Sequence, residues 1–483
     1  MKYFAILKDS LREAWDSWVL LVLLVLSTLV IFIVGSLSFK PLSAQQTMGY
    51  FFSQQGFEPP VMLTALNNRR PAKILGRQGH WRSFTLHGVE VVRGDADSPL
   101  SDYALTVASG GRRFGGGDPL MPPMEVKAEL KQPAVEPKAE LKQPAVEPKV
   151  EPKKPAVDLK AEMAQLRKLF DDAEEFNYVK IGTIEPILKG EEDKGPQQYR
   201  VIVQGTPDTH RIWATEPSLV FGAVPLAFLE APLAWRLYNL AHYLISFGSW
   251  IAVLLGIVIT SFFIPNMLRK GTVDLLLAKP ISRWLLLTYK YLGGLAFIFL
   301  TTTYAIGGIW LVLGLRSGLW ANGALLVIPT LTFFFAILYA VSTFIGVVTR
   351  SVVTCIMLTI GAYATFAGIG LGHWVVELVE LMEKEEDRMT EEMGRPEKPA
   401  EKRWTGHWAL TTVNVIYAIS PRTEDLNDIN DLVVYTDFMT GNLGDMSKFD
   451  NAKRNWWEGF LVSSIWIGIF LGLSMFRFYF KDY

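Results

Sequence analysis

One cysteine in 483 residues, Cys355, leaves no partner for an internal disulfide and no Cys pair at metal-ligand spacing. Disulfide scaffolds, zinc ribbons and dithiol redox enzymes are excluded. Basic charge is not in excess: 47 Lys+Arg stand against 48 Asp+Glu, a formal net charge of -1, and no Lys/Arg stripe favours a nucleic-acid partner. No G-x-x-x-x-G-K-[ST] occurs, so the chain carries no recognisable phosphate-cradling loop, and H-E-x-x-H, G-x-S-x-G and EF-hand spacings are missing too. No catalytic, cofactor-binding or metal site is therefore expected in this chain. The six histidines (His80, His87, His210, His242, His373, His407) are scattered. His80 and His87, seven apart, read as surface histidines, and His242 as a polar residue at a lipid interface rather than a proton relay.

What the chain does have is long runs without charge. A hydrocarbon core of about 30 Å takes roughly 20 helical residues. Six stretches meet that length: Trp18–Phe39, Leu240–Ile264, Tyr291–Leu315, Ala324–Val348, Val352–Leu371 and Trp456–Phe476. Since one charge at mid-bilayer costs at least about 2.5 kcal/mol, such runs are expected to be membrane spans rather than soluble cores. Positive charge then orients them. Lys2, Lys8 and Arg12 precede the first span; Arg269, Lys270, Lys279, Arg283 and Lys290 lie between the second and third; Arg350 lies between the fourth and fifth; Arg477 and Lys481 follow the sixth. Both termini are expected in the cytoplasm.

The expected fold is an α-helical polytopic membrane protein of six transmembrane helices, with a β-rich (α+β) extracytoplasmic insert between helices 1 and 2. Residues 1–17 read as a cytoplasmic interfacial helix with Phe4, Leu7, Leu11 and Trp15 on one face. The spans at 18–39 and 240–264 flank the insert, 40–239. A cytoplasmic loop at 265–290 leads to three spans within 291–371. An extracytoplasmic segment at 372–455, acidic over Glu377–Glu392, precedes the span at 456–476 and a cytoplasmic tail at 477–483. Within the insert, Trp81–Val107 and Tyr178–Val220 read as strands and turns, with YVKIGTIEPIL, YRVIVQGT and HRIWAT as candidate strands. Between them, KAELKQPAVEP occurs at Lys127–Pro137 and again, identically, at Lys138–Pro148. Proline at that density prevents a helix, and 122–157 is expected to be a disordered, semi-stiff spacer. Leu159, Met163, Leu166 and Phe170 form one stripe of a helix expected over Asp158–Phe176.

The loop after the second span has the most character. Thr272 is placed to cap a short helix with Asp274 in its first turn, Leu275, Leu276 and Leu277 give it an apolar surface, Pro280 ends it, and Ser282 is placed to cap the next helix. Such a helix suits a push from a partner; a tight connection whose leucines dip into lipid fits equally well.

Gly271, Thr272, Asp274, Leu275, Leu276, Pro280, Ser282, Arg283 and Lys290 closely resemble the loop between spans two and three of ABC-2 type ABC transporter permeases, loosely those associated with multi-copper enzyme maturation. The resemblance implies a permease subunit in the bacterial inner membrane, an exporter that forms a homodimer or paired permease among membrane lipid. It implies a separate cytoplasmic ABC ATPase subunit that holds ATP and Mg. Arg269, Lys270, Gly271, Thr272, Asp274, Leu275, Leu276, Pro280, Ser282 and Arg283 would form the ATPase-coupling loop. Acidic residues often precede Gly-Thr in that family, whereas Asn266-Met267-Leu268-Arg269-Lys270 stand here, which implies an ATPase contact that is altered or lost. The rival reading is an ATP-driven scaffold or mechanotransmitter whose insert binds an envelope partner and moves no substrate. A membrane-embedded enzyme is disfavoured by the missing catalytic residues.

Overall fold

A computed structural model describes residues 18–54, 84–109, 159–168, 170, 177–187, 196–226, 231–268, 282–392, 408–441 and 456–480. The expected interfacial helix at 1–17, the spacer at 122–157 and most of the loop at 265–290 lie outside the described residues.

Helix α1, Trp18–Gly35, ends four residues before the expected Phe39. The Ser36 N–H bonds back to the carbonyls of Phe32 and Ile33, and the chain then extends into strand β1, Ser38–Pro41. After α2, Ala44–Gln54, come β2, Phe84–Arg93, and β3, Asp102–Ser109. The helix expected over Asp158–Phe176 is described as α3, Leu159–Lys168. Strands β4, Val179–Ile187, and β5, Gln198–Gly205, follow. Of HRIWAT, the first three residues close a one-turn helix instead of a strand: α4, Thr209–Ile212, is fixed by Thr209, whose hydroxyl accepts the Thr206 N–H at 2.7 Å and donates to the Tyr178 carbonyl at 2.5 Å. Strand β6, Ala214–Leu219, then pairs with β1, with β7, Val224–Pro225, and with β8, Ala231–Pro232. The other sheet is antiparallel in the order β2-β3-β5-β4.

Helix α5, Leu233–Thr260, starts seven residues before the expected Leu240 and continues after a break as α6, Phe263–Met267. Its first turns hold Arg236 and Asn239, which hide it from a search for charge-free runs. Helix α7, Arg283–Ser317, likewise starts before the expected Tyr291. A 3₁₀ turn at Asn322–Leu326 leads into α8, Val327–Thr349. Helix α9, Val352–Glu392, does not stop at Leu371: it carries the acidic Glu377–Glu392 stretch, nearly half of it Glu with Leu and Met interspersed, as an added helical extension. Within 372–455, where no element was foreseen, α10, Trp408–Ile419, and α11, Thr423–Thr440, fold back on the bundle before α12, Trp456–Phe480.

Among the described residues, five stretches are long and apolar enough to cross a membrane: Leu233–Met267, Arg283–Ser317, Asn322–Thr349, Val352–Glu380 and Trp456–Phe480. That is one fewer than expected. The 18-residue α1 rises only about 27 Å, just short of a 30 Å hydrocarbon core. Helix α7 packs against α1, α8 and α12, and joins two ends of the bundle. One end carries the 269–281 connection and the other the sheets. The sheets do not sit on the helices as a separate body. Tyr103, Leu105, Tyr199, Val201 and Trp213 share a single buried cluster with Leu237 and Tyr238 of α5, Leu313 of α7, Val327 of α8 and Phe438 of α11. Burial on this scale joins the two halves by the same hydrophobic effect that holds each together.

Candidate functional site

Of the ten residues expected in the coupling loop, Arg269, Lys270, Gly271, Thr272, Asp274, Leu275, Leu276 and Pro280 lie outside the described residues, and Ser282 and Arg283 lie within them. Ser282 occupies the N-cap position of α7 with extended backbone (φ -64°, ψ 138°), and its carbonyl accepts the Leu286 N–H at 3.1 Å. Its hydroxyl makes no capping hydrogen bond, contrary to the expected side-chain cap. Arg283 Nη1 donates to the Tyr479 carbonyl at 3.2 Å, tying the first residue of α7 to the last turn of α12. A guanidinium at a helix C-terminus also meets the negative end of its dipole.

Both roots of the connection enter one buried cluster. Ile264 and Met267 of α6 and Leu268, on the incoming side, pack with Leu286 and Leu287 of α7, on the outgoing side. Val347 from α8 and Phe478 from α12 complete it. The apolar side chains that anchor the connection thus belong to four different helices. Close packing therefore couples the four helices at the two points where the described chain enters and leaves the connection.

At the opposite end α11 is a polar clasp. Asp431 accepts Tyr238 OH at 2.9 and 3.0 Å on its two oxygens and His242 Nδ1 at 2.5 Å. The buried Asp425 accepts Tyr417 OH at 2.7 Å and pairs with Arg422 at 3.7 Å; Arg422 also reaches Glu458 of α12 at 3.2 Å. Thr330 of α8 donates to Asn430 Oδ1 at 2.6 Å. Asp437 accepts the Gly323 N–H of the 3₁₀ turn. Burial pushes the Asp437 carboxyl up from its ordinary value, while the Gly323 hydrogen bond and the Arg211 charge act the other way. At the helix C-terminus, Arg211 Nη1 donates to the carbonyls of Asp437 and Phe438 at 3.1 and 2.7 Å, and Tyr178 OH donates to that of Met439 at 2.6 Å. Both donors come from the sheet-bearing region.

None of these clasp residues was foreseen from the sequence as a set. Its signal was the run of four aspartates in Thr423–Thr440 with no Lys or Arg among them. His242 does have a polar partner, but the partner is 189 residues away. His373 stacks on Tyr417 at 3.8 Å, with Nδ1 3.0 Å from Asn414 Oδ1. His80 and His407 lie outside the described residues. Among the described residues, no three His, Cys, Asp or Glu side chains are grouped to hold a metal ion.

A cavity of about 450 Å³ opens between α1, α5, α7 and α8. Leu23, Val30, Leu244, Ile298, Ile306, Leu331 and Phe438 line it, with Ser27, Thr301 and Thr302 among its few polar groups. The volume suits a small ligand, and the lining suits an apolar one. It lies in the half of the bundle nearer the sheets, for it follows α7 only from Ile298 to Leu313.

A family model described as ABC-2 family transporter protein matches residues 4–483. No curated protein and no solved structure matches the chain.

Proposed function

The chain belongs to the ABC-2 transporter family, and we propose that it works as the permease subunit of an exporter driven by a separate cytoplasmic ATP-binding cassette subunit. ATP and Mg are held by that partner. Arg269, Lys270, Gly271, Thr272, Asp274, Leu275, Leu276, Pro280, Ser282 and Arg283 form the surface on which it pushes, with both termini of this chain on the cytoplasmic side. The permease pairs with a second permease in the bacterial inner membrane. The observation that carries this reading is the buried cluster of Ile264, Met267, Leu268, Leu286, Leu287, Val347 and Phe478, which roots both ends of the 269–281 connection in four helices. A loop held in this way delivers force to the bundle instead of absorbing it. The apolar cavity between α1 and α5 favours an apolar or amphipathic cargo. No copper chemistry is attached to the proposal.

The test is co-purification of the full chain with the candidate cassette subunit, followed by ATPase measurement in lipid. Stable association, with ATPase activity that changes on complex formation and loses that change in Leu275→Asp and Leu276→Asp, is the expected result. A chain that binds no cassette subunit, or one whose coupling ignores both substitutions, overturns the reading.

A further inference from the structure

Beside the last turn of α1, the turn between β6 and β7 holds its backbone in an unusual way. Val220 (φ 52°) and Phe221 (φ 56°) are consecutive left-handed residues, followed by Gly222 at φ 98°. For a β-branched residue such as Val220 this is a costly conformation, kept only where the surroundings fix it. They do so here through the Phe221 N–H, which donates to the Ser36 carbonyl at 2.7 Å.

The strained turn does not bury its side chains. Val220 is 58% exposed, Phe221 60% and Val224 47%. An exposed apolar tip of this kind marks an interaction surface. What it continues is the outer face of α1: the Phe221 ring lies edge-on to Phe32, itself 65% exposed, with centroids 6.3 Å apart. Phe32 lies three residues, about 4.5 Å, inside the end of α1 at Gly35. Arg316, in the last turn of α7, sits 5.6 Å from the centre of the Phe221 ring and donates to the Leu37 carbonyl at 2.9 Å. An apolar patch with an arginine head held above it is how a protein meets the boundary between hydrocarbon and headgroups.

We propose that the 220–224 turn is a lipid-dipping wedge that seats the sheet-bearing region in the leaflet beside α1. It extends the apolar band of a helix whose 18 residues fall slightly short of the hydrocarbon core. The inference rests on α1 and its neighbours lying in a membrane, and does not depend on a cassette partner or on export.

The full chain, with the buried Cys355 replaced by Ala, is given single cysteines in place of Phe221, Val224, Phe32 or Glu90 and labelled with an environment-sensitive fluorophore. It is then reconstituted in phosphatidylcholine–phosphatidylglycerol vesicles. Nitroxides on the lipid acyl chains and iodide in the water serve as the two quenchers. Labels at 221 and 224 are expected to be quenched by the lipid nitroxide as strongly as the one at 32 and several-fold more than the one at 90, on the exposed face of β2, with iodide showing the reverse order. If 32 answers to lipid while 221 and 224 answer to iodide like 90, the wedge is overturned and the membrane reading stands. If 32 also answers to iodide, the membrane placement of α1 itself fails. Protection of 221 and 224 from both quenchers points to a second protein copy on the turn and equally overturns the proposal. Val224 keeps the test usable should a cysteine at the strained position 221 disturb the fold.

Discussion

Arg211 occupies the space in which Gly441 would otherwise carry a side chain. Gly441 closes α11 in the left-handed conformation (φ 71°), and the Arg211 guanidinium lies where a Cβ would be built while it bonds the carbonyls of Asp437 and Phe438. Gly441→Ala therefore meets two costs, about 1–2 kcal/mol for the backbone and the loss of the arginine clamp. The expected result is a thermal midpoint in lipid lowered by at least a few degrees. Arg211→Lys should lower it as well, since an ammonium is a point donor without the planar guanidinium fork.

Asp437, outside the five candidate spans, predicts a pH dependence of stability. Burial raises its carboxyl above the ordinary value of 3.8, so the folded state holds the proton more tightly than the unfolded one. Its stabilising contribution is then full at pH below the unfolded value and is lost as pH rises through the folded one. Asp437→Asn keeps an acceptor for the Gly323 N–H and cannot ionise. Its midpoint relative to the parent protein is expected to rise as the pH increases above about 4. A pH-independent difference between the two proteins would assign the carboxyl no such role.

Asp431 is shared by Tyr238 and His242, and the two donors should not act independently. Removing either leaves the half-buried carboxylate one donor short, at about 1–3 kcal/mol. In a cycle of Tyr238→Phe, His242→Ala and the double variant, the effects are expected to be non-additive by at least about 0.5 kcal/mol, measured by unfolding. Strict additivity would separate the two contacts.

Phe478 and Phe476 make a contrast two residues apart on α12. Phe478 is buried in the cluster at the root of the 269–281 connection, whereas Phe476 is exposed on the outside of the helix. Phe478→Ala is expected to cost about 3–5 kcal/mol through the cavity it leaves. Phe476→Ala should stay within about 0.5 kcal/mol, as a surface change does. Parallel melting curves in the same lipid decide this, and equal shifts would deny the cluster its anchoring role.

The centres of the long helices were legible because a charge-free run of about twenty residues has few other uses. Their ends were not. Arg236 and Asn239 interrupt the apolar signal where α5 begins, yet both are served by backbone carbonyls: Arg236 donates to Thr215 at 2.8 Å and Asn239 to Trp235 at 2.9 Å. Glu377–Glu392 was read only as an acidic part of the 372–455 segment because charge ends the apolar run, yet α9 continues through it, and Glu377 pairs with His373 one turn earlier at 3.7 Å. The strands of YVKIGTIEPIL and YRVIVQGT showed their β-branched alternation, and β4 and β5 pair from Val179↔Gly205 to Ile187↔Gln198. The clasp was invisible for a different reason. His242 and Asp431, or Arg211 and Phe438, are brought together only by tertiary packing across about two hundred residues, and no local pattern encodes that meeting. Family membership was carried by a short motif whose own side chains, apart from Ser282, Arg283 and Lys290, lie outside the described residues.

Helix α7 runs unbroken through 35 residues, about 52 Å, and Gly294 lets the ring of Tyr339 rest directly on its backbone. That contact lies about 17 Å from Arg283 and about 33 Å from Arg316. The Tyr339 contact therefore divides the helix about one third of the way along, with Gly308 against Ile31 and Gly314 against Trp320 on the longer side. One continuous helix thus carries at its two ends Arg283, bonded to the last turn of α12, and Arg316, bonded to Leu37 and to Ser38 of β1, so that α12 and the smaller sheet are fastened to the same rod.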